Sequence, residues 1–230
     1  MYRNKPYVLF EFLEGHPIEH PNAQHWRQLV QKAAELQALM QDYYSRYTPY
    51  RWNYGPNLCH ALARAEAARI DTPSARAKYV WLMRELAALD LPPSLPKGIC
   101  HCDFHFSNML FRGDELVAVL DFDDANHTFL QFDLVGLVEC WAWPHTVDSL
   151  DISKARSVVQ EYLKHRALSP LEQHHLYDVY KLSILFDCVW YFHRGSADNW
   201  YERRKLEALK RLGRQQFYDE LFRPEQSGVS

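Results

Sequence analysis

Residues 98–111 read Gly98-Ile-Cys-His-Cys-Asp-Phe-His-Phe-Ser-Asn-Met-Leu-Phe111, and Val119-Leu-Asp-Phe-Asp-Asp124 follows shortly after them. They carry a His-x-Asp-x-x-x-x-Asn pattern (His101, Asp103, Asn108), with Asp121 at the end of the next apolar run. Phosphoryl transfer needs a carboxylate that orients and deprotonates the attacking hydroxyl. It also needs an amide oxygen and a second carboxylate that hold Mg²⁺ against the nucleotide phosphates. The three side chains occur in that order, so the pattern predicts a phosphoryl-transfer site.

Two short apolar runs lie between these polar residues. Met109-Leu-Phe and Leu116-Val-Ala-Val-Leu120 flank Arg112-Gly-Asp-Glu115, which predicts a β-hairpin with a turn at the glycine. A hairpin brings Asn108 and Asp121 side by side at its open end. We expect Asp121 to be buried there, where a charge is costly without a cation or hydrogen-bond donors. That expectation makes Asp121 the best candidate for a metal ligand.

These motifs resemble the aminoglycoside phosphotransferase, choline kinase and type II homoserine kinase group, which shares the protein-kinase-like fold. The group's loop often reads His-Gly-Asp-Leu-His-x-x-Asn, and here it reads His101-Cys-Asp-Phe-His-Phe-Ser-Asn108. The group's Ile-Asp-Trp/Phe segment has its counterpart in Leu120-Asp121-Phe122, and its Tyr-Asp-Leu-Ala segment in Phe132-Asp133-Leu134-Val135. By the order of its motifs, the resemblance covers roughly residues 7–145.

The resemblance implies a role for each matched residue. Asp103 would be the catalytic base, and Asn108 and Asp121 would bind Mg²⁺. His101 and Asp133 would support the loop from inside. The implied cofactors are ATP and Mg²⁺, and the implied acceptor is a hydroxyl group of a small molecule.

Residues 7–15, Tyr-Val-Leu-Phe-Glu-Phe-Leu-Glu-Gly, are similar to the last strand of the group's N-terminal lobe and the hinge after it. The resemblance places the adenine contacts here, at Glu11, Phe12 and Leu13. If this strand edge is exposed, it offers unpaired backbone groups to another chain. We therefore expect self-association through residues 7–12.

The rest of the N-terminal lobe has no counterpart in the sequence. A complete member has a glycine-rich loop over the phosphates and a strand lysine that pairs with them. The eight glycines form no such loop, Lys5 precedes the first strand-like run, and Lys32 lies in a helical pattern. We therefore predict an α+β fold, the mainly helical C-lobe of a kinase with a small hairpin carrying the metal site. Its parts would be a hinge-strand remnant (1–15), the C-lobe (16–222) and a frayed tail (223–230).

Helical periodicity and start signals define the helices. Ser169-Pro-Leu-Glu172 combines a capping box with proline at the first helical position. Helices are predicted at about 22–47, 58–68, 74–89, 133–143, 151–167, 169–195 and 198–217.

Composition narrows the class of protein. The formal net charge is −3 with no clustered basic surface, which argues against a nucleic-acid partner. Five scattered cysteines, without a Cys-x-x-Cys pair, favour reduced thiols. No apolar run approaches the length of a membrane span, and the N-terminus has no apolar leader. The sequence predicts a cytoplasmic protein with no membrane partner.

The acidic residues after the metal motif suggest the acceptor. Asp123, Asp124 and Glu139 form an acidic patch that would suit an amino alcohol or an amino sugar, and homoserine also fits; His105 is a further candidate contact. Helical residues that could line the substrate cleft are Trp141, Trp143, Asp187, Trp190, Tyr191 and His193. The run Arg203-Arg-Lys205 is expected to be a solvated helix face.

Two other functions are open at this stage. Without the phosphate loop and its lysine, the chain could be a catalytically impaired remnant or pseudoenzyme that acts as a binding module. Alternatively, His101, Asp103 and His105 could bind Zn²⁺, with Asp121 or Asp123 completing a metal-dependent hydrolase site. The hydrolase would make the spacing of Asn108 and Asp121 a coincidence.

Overall fold

The computed structural model describes residues 11–144, 149–200 and 202–223. These residues contain eight α-helices and four short β-strands. The helices are α1 (Ala23–Met40), α2 (Pro56–Ile70), α3 (Pro73–Ala87), α4 (Gln131–Ala142), α5 (Ile152–Leu163), α6 (Pro170–His193), α7 (Arg203–Leu212) and α8 (Arg214–Phe222). The strands are β1 (Lys97–Cys100), β2 (Met109–Arg112), β3 (Glu115–Val119) and β4 (Asn126–Phe129). Short 3-10 helices lie at Thr48–Tyr50, Phe106–Asn108 and Phe122–Asp124.

Helix α6 is the central element of the core. It begins with the predicted capping box, in which the Ser169 side chain accepts from the Glu172 backbone N–H and the Glu172 carboxylate accepts from the Ser169 N–H. Most of its length is buried, because its residues pack against α2, α3, α4, α7 and α8. Arg166 forms a buried ion pair with the same Glu172 at 2.7 Å, so the start of α6 is fixed by charge as well as by its cap.

The four strands form two antiparallel pairs. The strands of one pair, β2 and β3, lie between β1 and β4 in the sequence. The inner pair is the predicted hairpin, β2 with β3, in which Met109 faces Val119. The outer pair joins β1 to β4, with Cys100 facing Asn126. The loop between β1 and β2 (residues 101–108) and the loop between β3 and β4 (residues 120–125) therefore emerge at the same end of these pairs.

A glycine lets helix α1 lie directly against β1. A Cβ atom at Gly98 would overlap the Met40 carbonyl oxygen, so a larger residue there must displace backbone. The close approach allows Gln41 to bridge to Gly98 and the Asp42 N–H to donate to the Lys97 carbonyl at 3.1 Å. The end of α1 thus supports the strand that leads into the 101–108 loop.

The hairpin and most helices lie where the sequence predicts them, with three differences. Strands β1 and β4 were not predicted. The first helix ends at Met40, so Tyr43 and Tyr47 lie beyond it, in the connection to α2. The predicted last helix is two helices, because Gly213 adopts a positive φ of 78° between α7 and α8.

The predicted hinge strand falls largely on residues 1–10, which lie outside the described residues. Residues 11–15 form neither helix nor strand. His16 exchanges two backbone hydrogen bonds of 2.9 Å with Phe111, which ties this segment to the hairpin. The division at residues 15 and 222 stays a prediction. Among the described residues, no helix has the length and apolar character needed to cross a bilayer.

Candidate active site

Asp103 and Asn108 are joined directly in the 101–108 loop. The Asn108 Nδ2 group donates to the Asp103 carboxylate at 2.6 Å and to its backbone carbonyl at 3.1 Å. Only the amide nitrogen can donate to a carboxylate, so this contact fixes which way the Asn108 amide points. Its Oδ1 atom is turned away from Asp103, accepts a long hydrogen bond of 3.5 Å from the Ser107 hydroxyl, and is the atom that could bind a cation.

His101 connects the two loops through both of its ring nitrogens. Nδ1 accepts from the Asp103 backbone N–H at 3.2 Å, and Nε2 therefore carries the proton that it donates to the Leu120 carbonyl at 2.8 Å. The side chain is fully buried. With both nitrogens engaged, His101 offers no free lone pair to Zn²⁺, which argues against the hydrolase interpretation.

Asp133, at the start of α4, holds the beginning of the 101–108 loop. Its buried carboxylate accepts from the backbone N–H groups of His101 at 3.0 Å and Cys102 at 2.7 Å. Burial raises the pKa of Asp133, although the two N–H donors act in the opposite direction. Cys102 has a positive φ of 66°, in the left-handed region that glycine adopts most readily. The bonds from Asp133 hold this unusual conformation in place.

Asp121 follows Leu120, the residue that pairs with Asn108 across the hairpin, but it is not buried. The Leu120 N–H donates to the Asn108 carbonyl at 2.8 Å, which extends the hairpin by one pair and places the two predicted ligands at its open end. The expectation that Asp121 is buried was wrong: the residue is exposed and has a left-handed backbone with φ 61° and ψ 63°. The strand ends before it, and this turn directs the chain out of the apolar layer.

A cavity of about 410 Å³ opens beside the 101–108 loop, where Asp103 and His105 contribute to its wall. Its other charged or hydroxyl-bearing lining residues, apart from the tyrosines, are Asp124, Asp133, Glu139, Ser183, Asp187, Arg194 and Glu202. Its aromatic lining residues are Tyr54, Phe104, Phe132, Trp143, Phe186, Trp190 and Tyr191. Carboxylates set among aromatic faces suit a small organic cation.

Three carboxylates converge in the wall of this cavity. Oxygen atoms of Glu139, Asp187 and Glu202 lie within 4.8 Å of one another. The Lys205 ammonium is hydrogen-bonded to Glu139 and lies 3.2 Å from Glu202. Lys205 is fully buried, so the prediction of a solvated helix face was wrong at this residue. Although burial opposes it, Glu139 and Glu202 raise the pKa of Lys205 and keep it charged.

Asp187 is the carboxyl of this group with no ion-pair partner among the described residues. Burial raises its pKa well above the ordinary value, and the neighbouring Glu139 and Glu202 act in the same direction. A cation entering the cavity would relieve this repulsion. Asp187 is thus the carboxyl most available to a ligand.

Some of the residues predicted to line the substrate cleft line this cavity, and others do not. Trp143, Asp187, Trp190 and Tyr191 line it as the sequence suggested. Trp141 and His193 do not, because Trp141 packs on Trp26 and His193 packs on Trp52, each with ring centroids 5.7 Å apart. Asp123 is exposed on the 120–125 loop and is not a lining residue, unlike Asp124 and Glu139.

The predicted adenine contacts Glu11, Phe12 and Leu13 are exposed and lie just before the segment that His16 ties to the hairpin. The Glu14 carbonyl accepts from Arg112 at 3.4 Å on the same hairpin. Their segment therefore approaches the element that carries Asn108. Their role stays a prediction.

Asn126 is a buried residue of the site that sequence reasoning missed. Its Nδ2 group donates to the Asp124 carbonyl at 2.8 Å and to the Cys102 Sγ at 3.2 Å, and its Oδ1 accepts from the Tyr54 N–H at 2.8 Å. It thereby joins both loops to the connection between α1 and α2. An asparagine after a run of aspartates gave no signal of this position.

Comparison with known proteins places these motifs in a family. A model of the phosphotransferase enzyme family (APH) matches residues 2–178. Homoserine kinase of Rhodospirillum rubrum is 31% identical over 177 residues, which cover 74% of this chain and 52% of that protein. Homoserine kinase of Allorhizobium ampelinum is 30% identical over 168 residues, covering 73% and 51%. The chain therefore spans about half the length of the curated relatives it matches.

Solved structures share the fold at low sequence identity. A microcompartment-associated aminopropanol kinase superposes with a TM-score of 0.53 and 17% identity over 85% of this chain and 64% of its own. The amicoumacin kinase hAmiN, solved with AMP-PNP, Ca²⁺ and Ami, gives a TM-score of 0.57 and 16% identity over 91% and 64%. These matches confirm the predicted α+β, protein-kinase-like fold. The family model matches more than three quarters of this chain, so the chain belongs to the phosphotransferase enzyme family.

Proposed function

We propose that the chain transfers a phosphoryl group from ATP, with Mg²⁺, to a hydroxyl of a small molecule that also carries a protonated amine. The observation that supports this most is the position of Asp103, which takes part in two features of the site. Its carboxylate is hydrogen-bonded to Asn108, and it lines the same cavity as Glu139, Asp187 and Glu202. The same cavity would thus offer a base to the hydroxyl and carboxylates to a cation.

The nucleotide side of the proposal rests on the open end of the hairpin. Asn108, through Oδ1, and the exposed Asp121 would hold Mg²⁺, since amide and carboxylate oxygens are its preferred protein ligands. The positive charge of the ion would offset the negative charge of the ATP phosphates. Glu11, Phe12 and Leu13 would contact the adenine.

The acceptor side rests on Asp103. Its carboxylate would accept the proton of the substrate hydroxyl as the oxygen forms its bond to phosphorus and the bond to ADP breaks. The Asn108 amide fixes one carboxylate oxygen, and the other is free to face the cavity. His105, Asp124 and Glu139 line the same cavity and are proposed acceptor contacts; Asp123 would act only through its loop.

The amine is inferred from the charge of the cavity wall. Lys205 neutralises part of the carboxylate group, and within residues 11–144, 149–200 and 202–223 Asp187 forms no ion pair of its own. A substrate ammonium would complete the pairing, with the aromatic walls adding cation–π attraction. The names of the relatives agree, since homoserine and aminopropanol each carry an amine and a hydroxyl.

A panel of matched acceptors tests this function. The chain would be incubated with ATP, Mg²⁺ and 1-amino-2-propanol or homoserine, and with 1,2-propanediol and isopropylamine as analogues that lack the amine or the hydroxyl. We expect a phosphate ester from the amino alcohols and competitive inhibition by the amine. Equal turnover of the diol would contradict the amine site. Binding of amines and ATP without turnover would instead favour the binding-module alternative.

Replacing Asp187 by asparagine should change the pH dependence of the acceptor KM. Only the ionised carboxyl attracts an ammonium, and the pKa of Asp187 is raised, so the wild-type KM should fall as pH rises through that pKa. In Asp187→Asn the KM should lose this pH dependence, and above the wild-type pKa it should be about tenfold or more higher than in wild type. An Asp198→Asn control, at an exposed aspartate outside the cavity, should behave as wild type. An unchanged KM in Asp187→Asn would remove this residue from the amine site.

Self-association through the N-terminal segment stays a prediction. The side chains of Phe12 and Leu13 are exposed, at 86% and 45%, which leaves apolar surface next to the hairpin. Sedimentation at rising protein concentration checks it. A monomer at every concentration, or a dimer that Phe12→Ser leaves intact, would reject this surface.

A further inference from the structure

We propose that Arg51, in the connection between α1 and α2, is a positioning residue that holds the 120–125 loop in the conformation needed for its metal ligand. The inference rests on the proposed function, because that function gives Asp121 its role. Arg51 itself contacts neither the acceptor cavity nor Asp121 in the described contacts. It would act through the backbone of the loop.

The contacts come from one guanidinium group. The Arg51 Nη2 atom donates to the Asp123 carbonyl at 2.6 Å and to the Ala125 carbonyl at 2.9 Å. These two carbonyls lie at the end of the 3-10 helix that follows Asp121. The loop's own bond in this region is the Ala125 N–H to the Phe122 carbonyl at 3.1 Å. The internal bond of the turn does not use the carbonyls of Asp123 and Ala125, and Arg51 fixes the end of the turn by bonding both of them.

The loop needs such support for two physical reasons. Asp121 has a left-handed backbone, which costs a non-glycine residue about 1 kcal/mol or more. Asp121, Asp123 and Asp124 also place three carboxylates within four residues, and their repulsion favours an open loop when no cation is bound. A guanidinium donates to carbonyls and offsets this negative charge at the same time.

The segment that carries Arg51 is itself held on the site. Asn53 Oδ1 accepts from the His127 N–H at 3.1 Å, and the Tyr54 carbonyl accepts from the Thr128 hydroxyl at 2.6 Å. These bonds fix residues 53 and 54 along β4. Arg51 is therefore presented to the loop from a rigid base.

The same segment reaches the acceptor cavity. The Tyr54 ring stacks on Phe186 in the cavity wall with centroids 3.8 Å apart, and its hydroxyl donates to the Asp124 carboxylate at 3.3 Å. Trp52 packs edge-on against Trp190, a second wall residue. Residues 51–54 thus connect the cavity wall to the loop of Asp121, and Arg51 is the member that bonds the loop backbone.

The test compares Arg51→Met with Arg51→Lys and with a matched control, Arg46→Met. Arg46 is an exposed arginine of the same connection that bonds only its neighbour Tyr47 in the described contacts. The first readout is amide hydrogen exchange of Leu120 and Ala125 in the full 230-residue chain without ligands. The second is the Mg²⁺ concentration that gives half-maximal ATP binding.

We expect Arg51→Met to speed exchange of the Ala125 amide and to raise the half-maximal Mg²⁺ concentration, each by about three- to tenfold. Arg51→Lys should lie between it and wild type, because an ammonium bonds one carbonyl well and two poorly. Arg46→Met should match wild type in both readouts. The melting temperature should stay within a few degrees throughout, since Arg51 is exposed.

Two results overturn the inference and are distinguishable from failure of the proposed function. If Arg51→Met equals wild type in exchange and in Mg²⁺ requirement, Arg51 does not position the loop. If exchange rises but the Mg²⁺ requirement does not, Arg51 holds the loop without serving the metal. If the wild-type chain itself shows no Mg²⁺-dependent ATP binding, the proposed function falls, and the metal role of Arg51 falls with it.

Discussion

Asp103→Asn is expected to lower the kcat of phosphoryl transfer by about 10²–10⁴-fold. Asparagine has nearly the same shape as aspartate, and its oxygen can still accept the Asn108 amide that now bonds Asp103 at 2.6 Å. It cannot take the proton of the substrate hydroxyl. The change therefore removes the base and leaves the loop in place.

The pattern of constants separates this chemical loss from a structural one. The KM for ATP and the melting temperature should stay near wild type, because Asp103 is exposed and the support from His101 and Asp133 is unchanged. Asp198→Asn, an exposed aspartate elsewhere, serves as the control for a lost surface charge. Near-normal turnover by Asp103→Asn would reject Asp103 as the base and with it the assignment of the loop.

The local part of the site could be predicted because its signal is local. Asp103 and Asn108 lie five residues apart in one loop, and the hairpin that places Asp121 beside Asn108 has its own turn residues, Gly113 and Asp114. The capping box at Ser169 and Glu172 fixed the start of α6 in the same way. Each of these features depends on neighbours within about twenty residues.

The parts that depend on distant pairing could not be predicted. Strand β1 follows a proline-rich connector, and β4 reads Asn-His-Thr-Phe, so neither has the alternating apolar pattern of a strand. They exist because they pair with each other and because α1 packs on β1. Arg51 and Asn126 acquire their contacts only after that pairing brings residues more than seventy positions apart together.

Charge patterns misled in two places for physical reasons. Lys205 follows two arginines and reads as a solvated run, but α7 turns it inward, where Glu139 and Glu202 compensate its burial. Asp121 reads as a buried strand end, but β3 stops at Val119 and the left-handed turn leaves the carboxyl exposed. Because Asp121 is exposed, the cost of burying its charge no longer argues that it needs a cation. The case for Asp121 as a ligand now rests on its position beside Asn108.

Asp121→Ala is expected to abolish Mg²⁺-dependent ATP binding, because it removes the one carboxylate that the proposal places on the ion. Asn108 alone offers a neutral oxygen, and Mg²⁺ in protein sites is held through one or two carboxylates together with the phosphates. Since Asp121 is exposed, the substitution should not unfold the chain, even though alanine adopts the left-handed backbone of this position less readily than aspartate. Asp198→Ala is the matched control.

Calorimetric titration of ATP into the 230-residue chain, with and without Mg²⁺, measures whether the hairpin end binds a metal-bound nucleotide. We predict binding that requires Mg²⁺, persists in Asp198→Ala and disappears in Asp121→Ala. ATP binding that is absent in wild type, or that is unchanged in Asp121→Ala, would contradict the assignment of the hairpin end as the metal site of a phosphotransferase.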